Sequence, residues 1–105
     1  MSTLRLFVIR HGDTAWTGER RYTGSRDVPL APAGQLQAEA VARALADHAP
    51  AAIYSSPLER ARATAEAIAK PHHLDVRIEP AFREMGYGVW EGLTRAEVSA
   101  RFPAE

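Results

Sequence analysis

Arg10-His11-Gly12 is the tripeptide of this sequence best suited to chemistry. A neutral imidazole is a competent nucleophile near neutral pH, because the ordinary pKa of histidine is about 6.5. Its nitrogen can attack phosphorus and hold the phosphoryl group covalently, which divides ester hydrolysis into two easier steps. The Arg10 guanidinium can donate to two phosphate oxygens, and Gly12 lets the backbone pass close to the anion. Taken alone, this tripeptide is a weak signal, since a histidine after a strand is more often a structural, hydrogen-bonded residue.

The elements on either side of this tripeptide must position it. Residues 4–9 are almost continuously apolar, which predicts a strand buried on both faces, as in a parallel sheet. His11 would then follow the carboxyl end of a strand, where open α/β sheets place their ligands. Residues 15–32 are rich in glycine, proline and polar groups and predict a long loop, of a length that is uncommon unless it binds something or is disordered.

Helices and strands are predicted to alternate in the rest of the chain. Apolar spacing predicts a helix over 33–47, and serines followed by Pro57 predict a helix start that leads to Lys70. Short strands are predicted at 51–54 and 76–78, and a last helix opens at the capping-box spacing of residues 94–97. The residues expected to be buried in the two longer helices are Ala38, Val41, Ala42, Leu45, Leu58, Ala61, Ala65 and Ile68. This alternation predicts an α/β fold.

The composition excludes several classes of protein. A chain of 105 residues suffices for one domain, and 13 basic residues balance 13 acidic ones, so no net field attracts nucleic acid or an anionic membrane. Cysteine is absent, which excludes disulfides and thiolate metal sites. The chain has neither an apolar run long enough to span a membrane nor the features of a secretory signal, so a cytoplasmic protein is expected.

Four blocks of sequence, in order, resemble those of one family. Residues 10–14 (RHGDT), 55–65 (SSPLERARATA), 82–84 (FRE) and 88–92 (GVWEG) are similar to the pattern of the histidine phosphatase, or phosphoglycerate-mutase-like, superfamily. Residues 21–30 are also similar to the loop that follows the nucleophile in that family. The resemblance extends from residue 4 to about residue 103 and is closer to the phosphatase branch.

The resemblance implies a fold and a set of roles. The fold would be a three-layer αβα sandwich with a mostly parallel sheet, and residues 1–105 would be the N-terminal part of a single domain. His11 would accept the phosphoryl group, Arg10 and Arg60 would neutralise the phosphate, and Glu84 would act as general acid and then as base. The substrate-binding residues implied are Arg10, Gly12, Thr17, Thr23, Gly24 and Arg60.

Two of these residues have simpler alternatives. Arg60 follows Glu59 and could be a solvated charge on a helix surface, whereas Glu84 could be a loop carboxylate paired with Arg83.

His72 and His73 lack the spacing of a metal site. No metal and no cofactor are expected, since arginines and a histidine nucleophile supply the chemistry that a metal supplies in other phosphatases.

The chain also departs from the family pattern. Members carry a second active-site histidine in a late Gly-His-Gly or Ser-His-Gly segment, run to roughly twice this length, and place a late strand between the first two strands of the sheet. We therefore expect a truncated fold with unpaired strand edges and little phosphatase activity of the chain by itself. Thr17 stands where many members have asparagine, which leaves the substrate open.

Three functions fit the sequence. The first is a phosphomonoesterase that acts on a small phosphorylated metabolite through a phosphohistidine. The second is a cofactor-dependent phosphoglycerate mutase, in which a second substrate oxygen replaces water as the acceptor. The third is a non-catalytic, phosphate-binding or self-associating half-domain. The expected partner is a small phosphorylated substrate, without nucleic acid or membrane, and a homodimer remains open.

Overall fold

The computed structural model describes residues 5–83, residue 86 and residues 91–101. Within them, strands and helices alternate as the sequence predicts. The helices are α1 (Ala15–Gly18), α2 (Pro32–Ala44), α3 (Glu59–Ala69) and α4 (Arg95–Arg101), the strands are β1 (Ile53–Ser55) and β2 (Val76–Ile78), and two 3₁₀ turns cover Lys70–His72 and Pro80–Phe82. None of the described helices is long and apolar enough to cross a membrane.

The core lies between α2 and α3, which pack against each other. Both helices bury mainly small side chains, so their backbones can approach closely. Of the residues predicted to be buried, Val41, Leu45 and Ala61 are only half-buried. The others are confirmed as core residues: Ala38, Ala42, Leu58, Ala65 and Ile68.

The two strands are parallel and hydrogen-bonded to each other, with Ile53 opposite Val76 and Ser55 opposite Ile78. Parallel neighbours require a crossover connection, and α3 provides it. The β1–α3–β2 unit confirms the α/β class. The strand predicted at 76–78 is confirmed to the residue, whereas the strand predicted at 51–54 begins and ends slightly later.

The buried strand predicted at 4–9 is not confirmed. Residues 5–10 belong to no strand or helix, and Leu6 and Val8 are 77% and 87% exposed. A strand exists only where a neighbour completes its hydrogen-bond ladder, and both described strands pair with each other. Apolar composition cannot bury this segment, because among the described residues no layer covers it. Phe7 makes one edge contact, with the ring of His48 at 5.1 Å between centroids.

Two helix starts differ from prediction. The predicted loop contains α1, where the side chains of Thr14 and Thr17 each accept a hydrogen bond from the other's backbone N–H. Helix α3 begins at Glu59 and has no side-chain cap; the Ser56 hydroxyl instead accepts from the Leu58 N–H, 3.2 Å away, in the turn before it. The start of α4 is confirmed, since the Thr94 hydroxyl accepts from the Glu97 N–H at 3.2 Å.

Candidate active site

His11 is half-buried and follows the exposed residues 5–10, and its ring faces the next peptide group. The Nδ1 atom is 2.6 Å from the carbonyl oxygen of Gly12. A carbonyl oxygen can only accept, so Nδ1 carries the hydrogen of this bond. In the neutral ring the lone pair therefore resides on Nε2, which is the atom left to act as a nucleophile.

Helix α3 holds this loop from one side. The N–H of Gly12 donates to the hydroxyl oxygen of Thr64 at 3.1 Å, and that hydroxyl donates to the carbonyl of Arg60 at 2.8 Å. Thr64 is only 4% exposed, so little water competes for these bonds. The backbone beside His11 is thus bonded to the helix that carries Arg60.

Helix α2 holds the loop from the other side. The Ala31 N–H, just before α2, donates to the Asp13 carbonyl at 2.9 Å. Gly12 and Gly34 lie backbone to backbone: a Cβ on Gly12 would overlap the Gly34 carbonyl, and a Cβ on Gly34 would overlap the carbonyl of Asp13. Glycine is required at both positions because any side chain would force the loop and the helix apart.

Gln37 adds a side-chain contact between α2 and the same loop. Its Oε1 accepts from the Asp13 N–H at 2.8 Å, and its Nε2 donates to the Asp13 carboxylate at 2.9 Å. Sequence reasoning gave Gln37 no role. Its spacing of three residues from Gly34 puts both on one face of α2 and could have indicated the contact.

Arg60 is buried, with 1% of its surface exposed, so the alternative of a solvated surface charge is wrong. Its two terminal nitrogens donate to the carbonyls of Arg26 and Gly24 at 2.5 and 2.6 Å. Gly24 and its neighbour Thr23, both predicted to bind substrate, are buried in the loop that Arg60 holds. The phosphate contact predicted for Arg60 stays a prediction.

The remaining predicted site residues are placed differently. Arg10 is exposed and makes no hydrogen bond or ion pair with any other described residue, so its guanidinium is accessible to an anion. The hydroxyl of Thr17 is engaged within α1, where it accepts from the Thr14 N–H at 2.7 Å. Glu84 lies outside the described residues. The structure therefore brings His11, Gly12 and the helix of Arg60 together through Thr64.

Ion pairs and a hydrogen bond from two arginines connect the loop of residues 20–26 to residues 91–97. Arg26 pairs with Glu91 at 3.2 Å, and the Arg21 Nη1 donates to the Gly92 carbonyl at 2.7 Å and to Glu97 at 2.9 Å. The pKa of Arg21 is raised, and the largest cause is its hydrogen bond to Glu19. Desolvation lowers this pKa, but the charges of Glu97 and Glu19 raise it further. The Thr94 hydroxyl and, more weakly, the charge of Arg21 hold the pKa of Glu97 below its ordinary value.

The lowered pKa of Glu97 predicts an acid-dependent loss of stability. A carboxyl with a lowered pKa stabilises the fold fully above its unfolded pKa, and this contribution is lost as the pH falls through the lowered folded value. Chemical unfolding should therefore show Glu97→Gln to be less stable than the parent at about pH 6, with the difference shrinking as the pH falls through the lowered folded pKa of Glu97. Glu39→Gln, an exposed carboxylate on α2, is the control. A difference that does not change with pH would contradict the assignment.

The parallel strands and the crossover helix define an α/β protein, in which the histidine loop is bonded to a helix. The chain belongs to the histidine phosphatase superfamily (branch 1), whose profile matches residues 6–105. The resemblance seen in the sequence is confirmed.

Individual relatives agree with this assignment. The chain is 38% identical over 103 residues to glucosyl-3-phosphoglycerate phosphatase of Mycobacterium tuberculosis, a match covering 98% of this chain and 46% of that protein. It is 41% identical over 88 residues to the probable phosphoglycerate mutase GpmB of Escherichia fergusonii, covering 84% of this chain and 41% of that one.

A solved structure shares the fold. The mycobacterial glucosyl-3-phosphoglycerate phosphatase complexed with VO3 superposes with a TM-score of 0.85 at 37% identity, over 90% of this chain and 45% of that chain. The chain thus spans less than half the length of each of these relatives.

Proposed function

We propose that His11 takes up a phosphoryl group on Nε2 and that the protein hydrolyses a small phosphorylated metabolite. The observation that carries the proposal is the hydrogen bond from Nδ1 to the Gly12 carbonyl, since it directs the lone pair of the neutral ring to Nε2. Membership of the superfamily supports it, as does the similarity to a phosphatase named for a small phosphate ester.

The chemistry divides into two displacements. In the first, Nε2 of His11 forms a bond to phosphorus while the ester P–O bond breaks, and the leaving oxygen takes a proton from Glu84. In the second, water gives a proton to the same carboxylate. The water oxygen bonds to phosphorus while the bond from phosphorus to Nε2 breaks, which releases phosphate. Arg10, exposed beside the nucleophile, offsets the phosphate charge in both steps. The part of Glu84 is carried over from the family pattern.

Trapping the covalent intermediate tests this proposal more directly than turnover, which we expect to be slow. The chain is incubated with a labelled phosphate monoester, quenched and digested, and the peptide that contains His11 is examined for one added phosphoryl group. We expect the parent to carry the label on His11 and His11→Ala to carry none. The control is His73→Asn, because His73 is exposed and asparagine tolerates its φ of 54°.

Binding of inorganic phosphate, measured by titration, separates the remaining outcomes. A chain that binds phosphate through its arginines and never labels at His11 is the non-catalytic half-domain. A chain that neither labels nor binds phosphate has no phosphate site, and the proposal is then abandoned.

A mutase is the second candidate, favoured by the similarity to a probable phosphoglycerate mutase. The two functions share the phosphohistidine and differ in what accepts its phosphoryl group. Labelled chain mixed with a phosphoglycerate will pass its label to the sugar-acid hydroxyl if it is a mutase. In a phosphatase the label will appear as inorganic phosphate at a rate that the added phosphoglycerate does not increase.

A further inference from the structure

The peptide group that joins Gly12 to Asp13 is hydrogen-bonded at both ends. Its carbonyl, which belongs to Gly12, accepts from Nδ1 of His11 at 2.6 Å, and its N–H, which belongs to Asp13, donates to Oε1 of Gln37 at 2.8 Å. The peptide is planar, so the position of its N–H fixes the direction of its carbonyl. Donation by the N–H also polarises the carbonyl and makes it a stronger acceptor.

The side chain of Gln37 is itself held in place. Its Nε2 donates to the Asp13 carboxylate at 2.9 Å, so the amide and Asp13 form a reciprocal pair. The pair specifies which end of the amide faces the peptide, because only the oxygen can accept from the N–H and only the nitrogen can donate to the carboxylate. Helix α2 therefore carries the acceptor, which is Oε1 of Gln37. The close backbone contact of Gly34 with Asp13 fixes the distance between α2 and the loop.

We propose that Gln37 is a positioning residue for His11, which orients and polarises the Gly12–Asp13 peptide and so keeps the ring hydrogen on Nδ1 and the lone pair on Nε2. The inference deepens the proposed function and rests on it. The other contacts of the loop do not reach this peptide through a variable side chain: Ala31 and Gly34 act through the backbone, and Thr64 bonds the preceding peptide.

The test reads the position of the ring hydrogen directly. In the chain labelled with nitrogen-15, the chemical shifts of the two ring nitrogens of His11 report which of them carries hydrogen. We expect the parent to hold it on Nδ1. In Gln37→Met the ratio of the two tautomers should shift toward Nε2–H by about 3- to 10-fold, and labelling of His11 by a phosphate monoester should slow by a similar factor.

Exchanging the amide of Gln37 and the carboxylate of Asp13 between the two positions distinguishes positioning of His11 from general support of the fold. Gln37→Glu alone sets two carboxylates against each other and should shift the ratio as Gln37→Met does. Gln37→Glu combined with Asp13→Asn restores an acceptor for the N–H and a donor to the new carboxylate, and it should return the ratio to within about twofold of the parent. Gln35→Met, on an exposed position of the same helix, is the matched control and should change nothing.

Each result decides the question. An unchanged tautomer ratio in folded Gln37→Met, or a double variant that behaves like Gln37→Glu alone, overturns the positioning role. Should Gln37→Met fail to fold, the comparison of Gln37→Glu with the double variant that also carries Asp13→Asn gives the answer. If the parent never labels at His11, the proposed function fails, whereas the ring nitrogens still report whether Gln37 positions the histidine.

Discussion

Replacing Arg60 with alanine is expected to lower the free energy of unfolding by about 3 kcal/mol, because two carbonyls lose a charged donor inside the protein. The guanidinium of Arg60 is buried and donates to Gly24 and Arg26, so no solvent replaces it without rearrangement of the loop. A loss of that size is a large fraction of the 5–15 kcal/mol that stabilises a typical domain. Denaturant unfolding followed by circular dichroism measures it.

The matched control is Arg62→Ala, two residues along the same helix, where the side chain is exposed and a change within about 0.5 kcal/mol is expected. Arg60→Met adds a second comparison because it keeps most of the buried volume and removes the donors. If Arg60→Met is as stable as the parent, the hydrogen bonds to the loop contribute nothing measurable and the argument from buried donors is wrong.

Gly34→Ala is expected to destabilise the chain by about 2–3 kcal/mol, although alanine is normally the better residue in a helix. Gly34 lies in the first turn of α2, and its added Cβ would overlap the carbonyl of Asp13. Since the overlapped atoms are backbone, no side-chain rotation relieves the clash. A shift of α2 that relieves the clash would draw Gln37 away from the Asp13 N–H, so the loop of His11 should loosen along with the helix.

Gly18→Ala provides the comparison for this prediction. Gly18 ends α1, and a Cβ there would meet nothing within 4 Å. This variant should be as stable as the parent or more stable by up to about 1 kcal/mol. Equal effects at both glycines would show that the contact between α2 and the loop is not as close as described.

The secondary structure was largely predictable because local signals specify it. Pro32, the apolar spacing through Ala42 and Pro50 bracket α2, and two β-branched residues between Asp75 and Glu79 mark β2. The segment at 5–9, which forms no strand, shows the limit of such signals. Its composition is that of a buried strand, but burial requires a partner strand, which composition does not supply.

The site was predictable only as far as motifs reach. The motif placed His11, Gly12 and Arg60 together, and the structure connects them through Thr64; helical periodicity alone would have left Arg60 at the surface. Gln37 escaped prediction because it is an exposed polar residue on a helix. Its spacing from Gly34 places both on one face of α2, but that spacing does not identify the backbone group, distant in sequence, that Gln37 contacts.

Several of the bonds that hold the site together enclose a long stretch of chain. Gly12 and Thr64 are 52 residues apart, Gly24 and Arg60 are 36 apart, and Arg21 and Glu97 are 76 apart. Closing loops of this size costs entropy before any contact repays it, so such contacts form slowly during folding. Helices and the β1–α3–β2 unit can assemble from near neighbours, whereas the loop of His11 is fixed to α3 only when distant segments have met. The proposed phosphoryl uptake by His11 is therefore expected to be among the last properties that the folding chain gains.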